Sequence, residues 1–401
     1  MTYRVPLAFS TFTGAEVKAA EDVLKSGNLT QGKEVAAFER ELAEWHAVPH
    51  AILVNSGSSA NLLAIEAAVY LSRLAPERLY GPIEAGDEVI IQGLNWPSTL
   101  KPMLNHGLRP VFCDVDISSL NASVNDVEAV RTSRTRMVVA VPVLGNPSHL
   151  EEMKRYCHDK GLILIEDACE SLGALTESNL RVGSLGLASA QSFYFSHHLT
   201  TIEGGVVLTS DPYVADLCRA LRAHGWSREL RMEGFLQPAQ SEVDERFCFV
   251  TPGYNVRSTE LNAAIGRVQL ASLDQMLARR REIARRRSDA VRDMADRVVM
   301  PGADIVGRHS WMATPLLFSS RGHRDRARAS LEASGIETRP IIVGNMLRHP
   351  VVKMIGLSED QRDLPNCDEV FERGIMIGLS PGSPPEVEAI VHEALLTAAT
   401  A

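Results

Sequence analysis

Short apolar runs alternate with helical stretches along the middle of the chain. Seven of these runs have the length and the β-rich composition of buried strands, and they occupy residues 51–54, 87–92, 110–115, 137–143, 162–167, 190–195 and 205–209. Most are separated by stretches of helical character, an order that is typical of a mainly parallel sheet covered by helices on both faces. The pattern predicts an α/β domain whose sites form in the loops at the strand ends.

Helical patterns flank this region on both sides. Residues 12–26 and 31–46 predict two amphipathic helices near the N-terminus. A longer helical stretch begins near Glu260, and the apolar and helical segments that follow it indicate a smaller α+β unit. We therefore expect a large domain with an N-terminal arm at residues 1–260, and a linking helix with a small C-terminal domain at residues 261–401.

Composition narrows the functional classes. The 401 residues carry a formal net charge of −9 and a pI near 5.8, which does not favour binding to nucleic acid or to an anionic membrane. No apolar stretch reaches the roughly 20 residues that span a bilayer, and the N-terminus lacks the pattern of a secretion signal. The six cysteines are scattered without a C-x-x-C pair, as in reduced cytosolic enzymes. We expect a cytoplasmic protein without a metal site.

Arginines concentrate at residues 279–281 and 285–287, within the long helical stretch. Acidic residues lie around them, and the clusters have helical spacing. This pattern is most often a solvated helix face, and we expect these side chains to be exposed.

Three loops at the predicted strand ends carry candidate chemistry. The segment NSGSSAN at 55–61 opens a helix, where small residues and backbone N–H groups suit an anion, although an ordinary capped helix has the same pattern. Trp96 could stack on a flat ring or could fill the core. Asp167 ends an apolar strand, where it could pair with a protonated ring nitrogen of a cofactor or cap a helix that begins at Ala168.

A fourth loop contains two adjacent histidines. In SFYFSHHLTTIEGG, residues 192–205, His197 and His198 follow an apolar strand pattern and precede a Gly-Gly turn. Two imidazoles at strand ends in a large domain are either hydrogen-bonded structural groups or proton-transfer groups. Pyridoxal 5'-phosphate (PLP) requires an anion-binding loop, an aromatic side chain to stack on its ring and an acid for its ring nitrogen. The four loops together offer these groups, the last of them beginning at Ser192.

These segments resemble the sugar-nucleotide aminotransferase family of fold-type I PLP enzymes over essentially the whole chain. The matching segments are NSGSSAN at 55–61, NWPST at 95–99, EDACESLGA at 166–174, SFYFSHHLTTIEGG at 192–205 and GYNVRSTELNAAIGRVQL at 253–270. The set is specific, whereas any one of them alone would be weak. The resemblance implies a PLP-dependent transferase fold of type I, with a mainly parallel seven-stranded sheet.

The resemblance also implies roles for individual residues. Gly57, Ser58 and Ser192 are expected to bind the cofactor phosphate, Trp96 to stack on the pyridine ring, and Asp167 to pair with the ring nitrogen. Glu170 lies where the family often has Gln or His near the ring hydroxyl. Asn255 resembles a residue that reaches the phosphate from the neighbouring subunit, which implies a homodimer with shared active sites.

One position departs from the aminotransferases of this family. Their PLP-binding lysine lies six residues before the acid of the EGG-like turn, and here that position is His197. No lysine occurs between Lys160 and Lys353, so no neighbour replaces it. Imidazole cannot form the covalent link that tethers PLP, but it can move protons near neutral pH. This exchange predicts loss of water instead of amino transfer.

A small subgroup of the family, the sugar 3-dehydratases, has histidine at this place. One branch also binds a [2Fe-2S] cluster through cysteines that include a C-x-C pair, which this chain lacks. The resemblance is therefore to the branch of colitose biosynthesis, which acts on GDP-4-keto-6-deoxymannose. It implies PLP and pyridoxamine phosphate as cofactor, L-glutamate as amino donor, release of ammonia, and no iron–sulfur cluster.

Several alternatives stay open from the sequence. His198 competes with His197 for the role of base, and we assign it a possible substrate contact. The segment GIETRPIIVGN at 335–345 also resembles that branch, and its Arg339 could face a carboxylate or a diphosphate, or could be structural. The chain could instead act on another nucleotide sugar or antibiotic precursor, or bind a sugar nucleotide without catalysis.

Overall fold

A central sheet of seven strands organises the large part of the molecule. The structure is a computed structural model that describes residues 3–232, 234–236, 243–292, 294–357 and 362–400. The strands are β1 (His50–Val54), β2 (Glu88–Gln92), β3 (Arg109–Cys113), β4 (Thr135–Ala140), β5 (Ile163–Asp167), β6 (Ala188–Ser192) and β7 (Gly205–Thr209).

The sheet is mainly parallel, as the sequence predicts. Its strand order is β1-β7-β6-β5-β4-β2-β3, and only β7 runs antiparallel to its neighbours among these strands. Because β1 and β6 both run antiparallel to β7, they run parallel to each other. The carboxyl ends of six strands therefore lie at one edge of the sheet, together with the amino end of β7.

All seven predicted strands are present, but three of the predicted runs extend past the end of their strand: 110–115 past Cys113, 137–143 past Ala140 and 190–195 past Ser192. The run at 190–195 was expected to be strand to its end, whereas β6 ends at Ser192. The N–H of His197 bonds the carbonyl of Tyr194 at 3.0 Å, so the chain turns there instead of continuing a ladder. Tyr194 and Phe195 are 48% and 42% exposed. The histidines thus follow a partly exposed turn, not a wholly buried loop.

Helices cover both faces of the sheet and continue into the small C-terminal part. They are α1 (Gly14–Ser26), α2 (Lys33–His46), α3 (Gly57–Leu74), α4 (Leu100–Asn105), α5 (Val124–Val130), α6 (Leu150–Lys160), α7 (Pro212–Arg222), α8 (Glu260–Arg292), α9 (Arg321–Ala333), α10 (Pro350–Met354), α11 (Pro365–Arg373) and α12 (Pro385–Thr400).

The sequence sets the helix ends through caps. Thr13 and Glu16 form a capping box at the start of α1, and Gly27 ends that helix with a left-handed φ of 72°. Ser56 caps α3 by accepting a hydrogen bond from the N–H of Ser59. The second of these caps fixes where the helix after β1 begins, which matters for the site below.

A smaller antiparallel sheet forms the C-terminal part. Its strand order is β10-β11-β9-β8, with β8 (Val298–Val299), β9 (Ala313–Phe318), β10 (Thr338–Arg339) and β11 (Gly374–Gly378). Apolar residues such as Ile341, Met346 and Cys367 join the core of the large sheet. Helix α8 begins at the residue where we place the domain boundary. The division into 1–260 and 261–401 stays a prediction, because the two parts share apolar packing.

The expectation that both arginine clusters of α8 are exposed is wrong for Arg280 and Arg287. These two side chains are 2% and 3% exposed. Arg287 pairs with Glu388 at 2.8 and 3.0 Å and also donates to the Thr314 hydroxyl at 2.7 Å. They lie seven residues apart, so they share the helix face that meets the small sheet. In the sequence, the arginines of this buried face cannot be told from the exposed arginines of the same helix.

We predict that Arg287→Met destabilises the protein far more than Arg286→Met. The first change leaves the Glu388 carboxylate, which is only 11% exposed, without its partner, and this costs on the order of 3–5 kcal/mol of unfolding free energy. Arg286 is exposed, and among the described residues its ion pair is with Glu282 on the surface, so its loss costs less than about 1 kcal/mol. Urea unfolding followed by circular dichroism measures both; equal stability of the two variants would contradict the assignment.

Candidate active site

The predicted site residues meet at one edge of the large sheet. The carboxyl ends of β1, β2, β5 and β6 lie there, because these strands run in the same direction. The loops after these ends carry the candidate residues of the sequence analysis. In strand order they are Gly57 and Ser58 after β1, Trp96 after β2, Asp167 and Glu170 at and after β5, and Ser192, His197 and His198 at and after β6.

Gly57 and Ser192 form the first part of the site, which we call the cradle. Gly57 is the first residue of α3, and a Cβ added there would lie 2.5 Å from Ser192 Cβ and 3.0 Å from Cys169 Sγ. The close approach of these two loops therefore requires glycine. Ser58 is exposed at the same helix end.

The cradle suits a phosphate group. Among the described residues, the N–H groups of Gly57 and Ser58 meet no acceptor, as is usual in the first turn of a helix. The positive end of the α3 dipole and the neighbouring Ser192 hydroxyl add favourable interactions with an anion. The structure thus brings Gly57, Ser58 and Ser192 together as predicted from the sequence.

Asp167 lies at the end of β5 with 5% of its surface exposed. Its Oδ2 accepts a hydrogen bond from the Thr99 hydroxyl at 2.6 Å, and Oδ1 accepts a long one from the N–H of Cys169 at 3.4 Å. The chain turns after Ala168 without forming a helix, so the alternative role as a helix cap is wrong. A carboxylate offers about four acceptor positions, which leaves room for a protonated ring nitrogen.

Trp96 is exposed and not part of the core. Its side chain is 56% exposed, just before a single 3-10 turn at Pro97–Thr99. The alternative that it fills the core is therefore wrong. Trp96 shares its loop with Thr99, which bonds Asp167, and its exposed indole is available to stack on a flat ring.

Glu170 is held by the main chain of a neighbouring loop. Its Oε2 accepts a hydrogen bond from the N–H of Leu144 at 3.0 Å. Burial raises the pKa of Glu170 to about 7; the nearby charge of Asp167 acts in the same direction, while the Leu144 hydrogen bond opposes it. Near neutral pH this side chain can therefore either donate or accept a hydrogen bond.

The two ring nitrogens of His197 differ: one is hydrogen-bonded, and the other has no hydrogen bond among the described residues. Its Nδ1 lies 2.8 Å from the carbonyl oxygen of Cys169. Because a carbonyl oxygen can only accept, Nδ1 carries the proton and the lone pair lies on Nε2. Burial lowers the pKa of His197 to about 4, the Cys169 hydrogen bond and Asp167 oppose this, and Arg280 adds to it. The ring is therefore neutral at physiological pH and can accept a proton at Nε2.

His198 differs sharply from its neighbour. Its side chain is 1% exposed, and among the described residues its ring nitrogens make no well-aligned hydrogen bond, although the main chain of Ser310 lies close enough to favour the protonated ring. Burial lowers its pKa well below the usual value, with Arg280 and His197 acting in the same direction. The structure gives His198 no surface to present to a substrate, so the expected substrate contact is not supported.

Within the described ranges, Asn255 and Arg339 make no hydrogen bond or ion pair with the other candidate residues. Asn255 is exposed in a segment whose next residue, Val256, accepts a hydrogen bond from the N–H of Asn55 at 2.9 Å. Its side chain therefore lies on the surface close to the main chain that enters the cradle. Arg339 is exposed on β10, where it pairs with Glu337 at 2.5 Å. Their assigned roles stay predictions.

Sequence reasoning missed three groups that hold the site. Thr99 belongs to the NWPST segment, and its hydroxyl could have been proposed as a partner of a buried acid. Cys169 and Leu144 act through a carbonyl and an N–H that every residue type provides, so no sequence signal identifies them. Leu144 has a left-handed φ of 52°, followed by Gly145 at 95°, and this turn aims its N–H at Glu170.

Two further observations concern metals and membranes. In the described ranges, no three side chains among His, Cys, Asp and Glu are placed to share a metal ion. The helices of that part of the chain also include none with the length and apolar character needed to cross a bilayer.

The sequence profile of one family matches residues 11–395, and it describes the DegT/DnrJ/EryC1/StrS aminotransferases. The chain belongs to this family. The predicted resemblance and the predicted fold class are thereby confirmed. The family name covers enzymes with different outcomes, so the reaction has to be argued from the site and from individual relatives.

Known relatives resemble the whole chain. GDP-4-keto-6-deoxy-D-mannose 3-dehydratase of Escherichia coli O55:H7 is 33% identical over 93% of this chain and 94% of its own. An E. coli structure of that enzyme with bound hydrated PLP superposes with a TM-score of 0.90 and 32% identity, over 98% of this chain and 100% of the other. A structure of the enzyme with a trapped PLP-glutamate geminal diamine gives 0.89, at the same identity and coverage.

We predict that Gly57→Ala weakens PLP binding by at least about tenfold, or about 1.4 kcal/mol. The new methyl group would push Ser192 and the start of α3 apart, and such overpacking typically costs about 1–3 kcal/mol. Gly14→Ala is the matched control, because Gly14 also begins a helix but has no atom within 4 Å of an added Cβ. Fluorescence titration with PLP measures both; unchanged affinity in Gly57→Ala would contradict the cradle.

Proposed function

We propose that this protein is a PLP- and pyridoxamine phosphate-dependent 3-dehydratase of a nucleotide-linked 4-keto-6-deoxy sugar, with GDP-4-keto-6-deoxymannose as substrate. The observation that carries the proposal is His197. It occupies the family's lysine position and has a neutral ring with a free Nε2. A site that keeps a base but cannot form a covalent tether supports proton transfer and loss of a leaving group.

The residues present fit PLP. The α3 N-terminus and Ser192 would hold its phosphate, Trp96 would stack on its ring, and Asp167 would keep the ring nitrogen protonated. Glu170 would contact the ring hydroxyl with a carboxyl group that can be neutral near pH 7. When bound, PLP supplies an electron sink that stabilises negative charge next to the amino nitrogen.

His197 would act at one atom. Nε2 would accept one proton from the carbon beside the amino nitrogen and would donate it to the hydroxyl on C3 of the sugar, which then leaves as water. The Cys169 carbonyl holds the ring in this orientation and stabilises the imidazolium that forms. General bases of this kind contribute about 10²–10⁴-fold to rate.

The overall reaction balances with L-glutamate as the amino donor. One keto sugar and one L-glutamate give one 4-keto-3,6-dideoxy sugar, one 2-oxoglutarate and one ammonia. The oxygen lost from C3 of the sugar is matched by the one gained at C2 of 2-oxoglutarate. The relative trapped with a PLP-glutamate adduct supports L-glutamate for this chain, and no iron–sulfur cluster or external reductant is required.

Two assignments complete the proposal. The GDP nucleotide rests on the relatives named above, since the residues of the site do not distinguish nucleotides. The homodimer rests on the exposed Asn255 and on Trp96, Tyr194 and Phe195, which are exposed around the site and would be covered by a second subunit.

The decisive assay incubates the protein with PLP, L-glutamate and GDP-4-keto-6-deoxymannose. We expect ammonia and 2-oxoglutarate in equal amounts. His197→Asn should lower this rate by about 10³-fold with PLP affinity nearly unchanged, because only the base is lost. His198→Asn, the control on the neighbouring residue, should retain activity within about tenfold.

Three results would contradict the proposal. Absence of ammonia with this and other 4-keto sugar nucleotides, including CDP- and dTDP-linked ones, would exclude the dehydratase. A stable 4-amino sugar product would indicate amino transfer instead. Loss of activity in His198→Asn but not in His197→Asn would reassign the base.

A further inference from the structure

Arg280 is a buried cation at the junction of the two sheets. Its Nη1 donates to the carbonyl oxygens of Trp311 at 3.0 Å, Met312 at 3.2 Å and Leu379 at 2.5 Å. The side chain is 2% exposed, and among the described residues no carboxylate pairs with it. Burial lowers its pKa to about 10, so it stays charged at neutral pH. Its partners are thus carbonyl dipoles only.

This arrangement contrasts with the next buried arginine on the same helix face. Arg287 is equally buried, but a bidentate pair with Glu388 neutralises it. A buried charge without a counter-ion is costly and uncommon. The same helix face therefore carries one arginine paired with a carboxylate and one that is bound by carbonyl dipoles.

Hydrogen bonds join Arg280 to the active site. Two of the carbonyls that it binds, those of Trp311 and Met312, belong to the segment 309–312, which pairs with the loop at Leu144 and Gly145. The N–H of Met312 bonds Leu144 O at 2.9 Å, and the N–H of Ser310 bonds Gly145 O at 3.1 Å. The Leu144 N–H in turn holds Glu170, which follows the residue whose carbonyl orients His197. The guanidinium therefore lies directly behind the site.

We propose that Arg280 is a positioning residue, which uses its uncompensated positive charge to keep His197 in the neutral form that accepts a proton. This inference rests on the proposed function, because it assigns a purpose to a neutral His197. Arg280 lies on α8, outside the segments on which the resemblance to the PLP-enzyme family rests.

The charges around His197 explain why such a residue is needed. Asp167 at the end of β5 and Glu170 in the following turn are acids, and a bound phosphate would add more negative charge. Each would stabilise the imidazolium form. On the other sides the ring faces Tyr194 edge-on and the buried, neutral His198, which in turn lies close to His309. Arg280 is then the cation that opposes these acids from α8, and it acts on both His197 and His198.

The test measures the protonation of His197 directly in the protein without cofactor or substrate. Protein with ¹³C-labelled histidine is titrated by NMR, and the His197 signal is assigned by its loss in His197→Asn. We expect a wild-type midpoint well below the ordinary 6.5. In Arg280→Gln it should rise by about one pH unit, a tenfold gain in proton affinity, because the charge is removed while side-chain donors remain.

Two further variants separate charge from structure. Arg280→Lys keeps the charge and should keep the wild-type midpoint within about 0.3 pH units. Arg281→Gln is the control, since Arg281 lies on the same helix and also binds carbonyls, at His309 and Gly173. It should leave the midpoint unchanged. A purely structural role of Arg280 would move the midpoint in neither Arg280 variant, or in both.

The outcomes decide the proposal. An unshifted midpoint in folded Arg280→Gln, an equal shift in Arg281→Gln, or a shifted midpoint in Arg280→Lys would overturn it. If Arg280→Gln does not fold, the His197 midpoints of Arg280→Lys and of the wild type test the proposal instead. A wild-type midpoint at or above 6.5 also overturns the proposal. The titration needs no sugar nucleotide, so it is independent of the dehydratase assay. If the assay fails but the titration gives the expected midpoints, the proposed function is rejected. The role of Arg280 in setting the charge of His197 then still stands.

Discussion

The hydrogen bond from His197 Nδ1 to the Cys169 carbonyl is the interaction on which the account depends. It fixes which ring nitrogen is protonated, and thereby leaves Nε2 as the acceptor. The carbonyl belongs to the turn between Asp167 and Glu170, so the two acids that we propose to face the ring nitrogen and the ring hydroxyl of the cofactor come from the same short segment. The thiol of the same cysteine packs against Gly57 at the cradle. One turn therefore aligns the base, the acid and the phosphate-binding helix.

The surrounding charges and burial set the protonation states of the groups in this site. A lysine at position 197 would be a tether, whereas an imidazole there is useful only if it is neutral when a proton has to be accepted. Burial and the cation on α8 favour the neutral ring, and they oppose the acids around it. Glu170 shows the opposite behaviour, since burial and Asp167 favour its protonated form. The same environment thus favours the deprotonated form of His197 and the protonated form of Glu170.

The fold and much of the site follow from the sequence for physical reasons. Apolar runs of strand length identify all seven strands, and the parallel order then places the loops after β1, β2, β5 and β6 together. Glycine and small residues at 55–61 identify the cradle, and the missing lysine identifies His197. Predictions failed where the residue type does not indicate whether the side chain is buried or exposed. Tyr194 and Phe195 look like strand residues but turn outward, and Arg280 and Arg287 look like a solvated face but meet the small sheet. Contacts through main-chain atoms, as at Cys169 and Leu144, leave no trace in residue type.

The central claim is that His197 replaces the tethering lysine, so that PLP is held without a covalent bond to the protein. The most direct measurement is borohydride reduction of the wild-type protein saturated with PLP, followed by mass spectrometry of the intact chain. The account predicts an unmodified mass in the wild type, and one pyridoxyl phosphate group on residue 197 in His197→Lys treated in the same way. A stoichiometric pyridoxyl adduct on any lysine of the wild-type protein would contradict it.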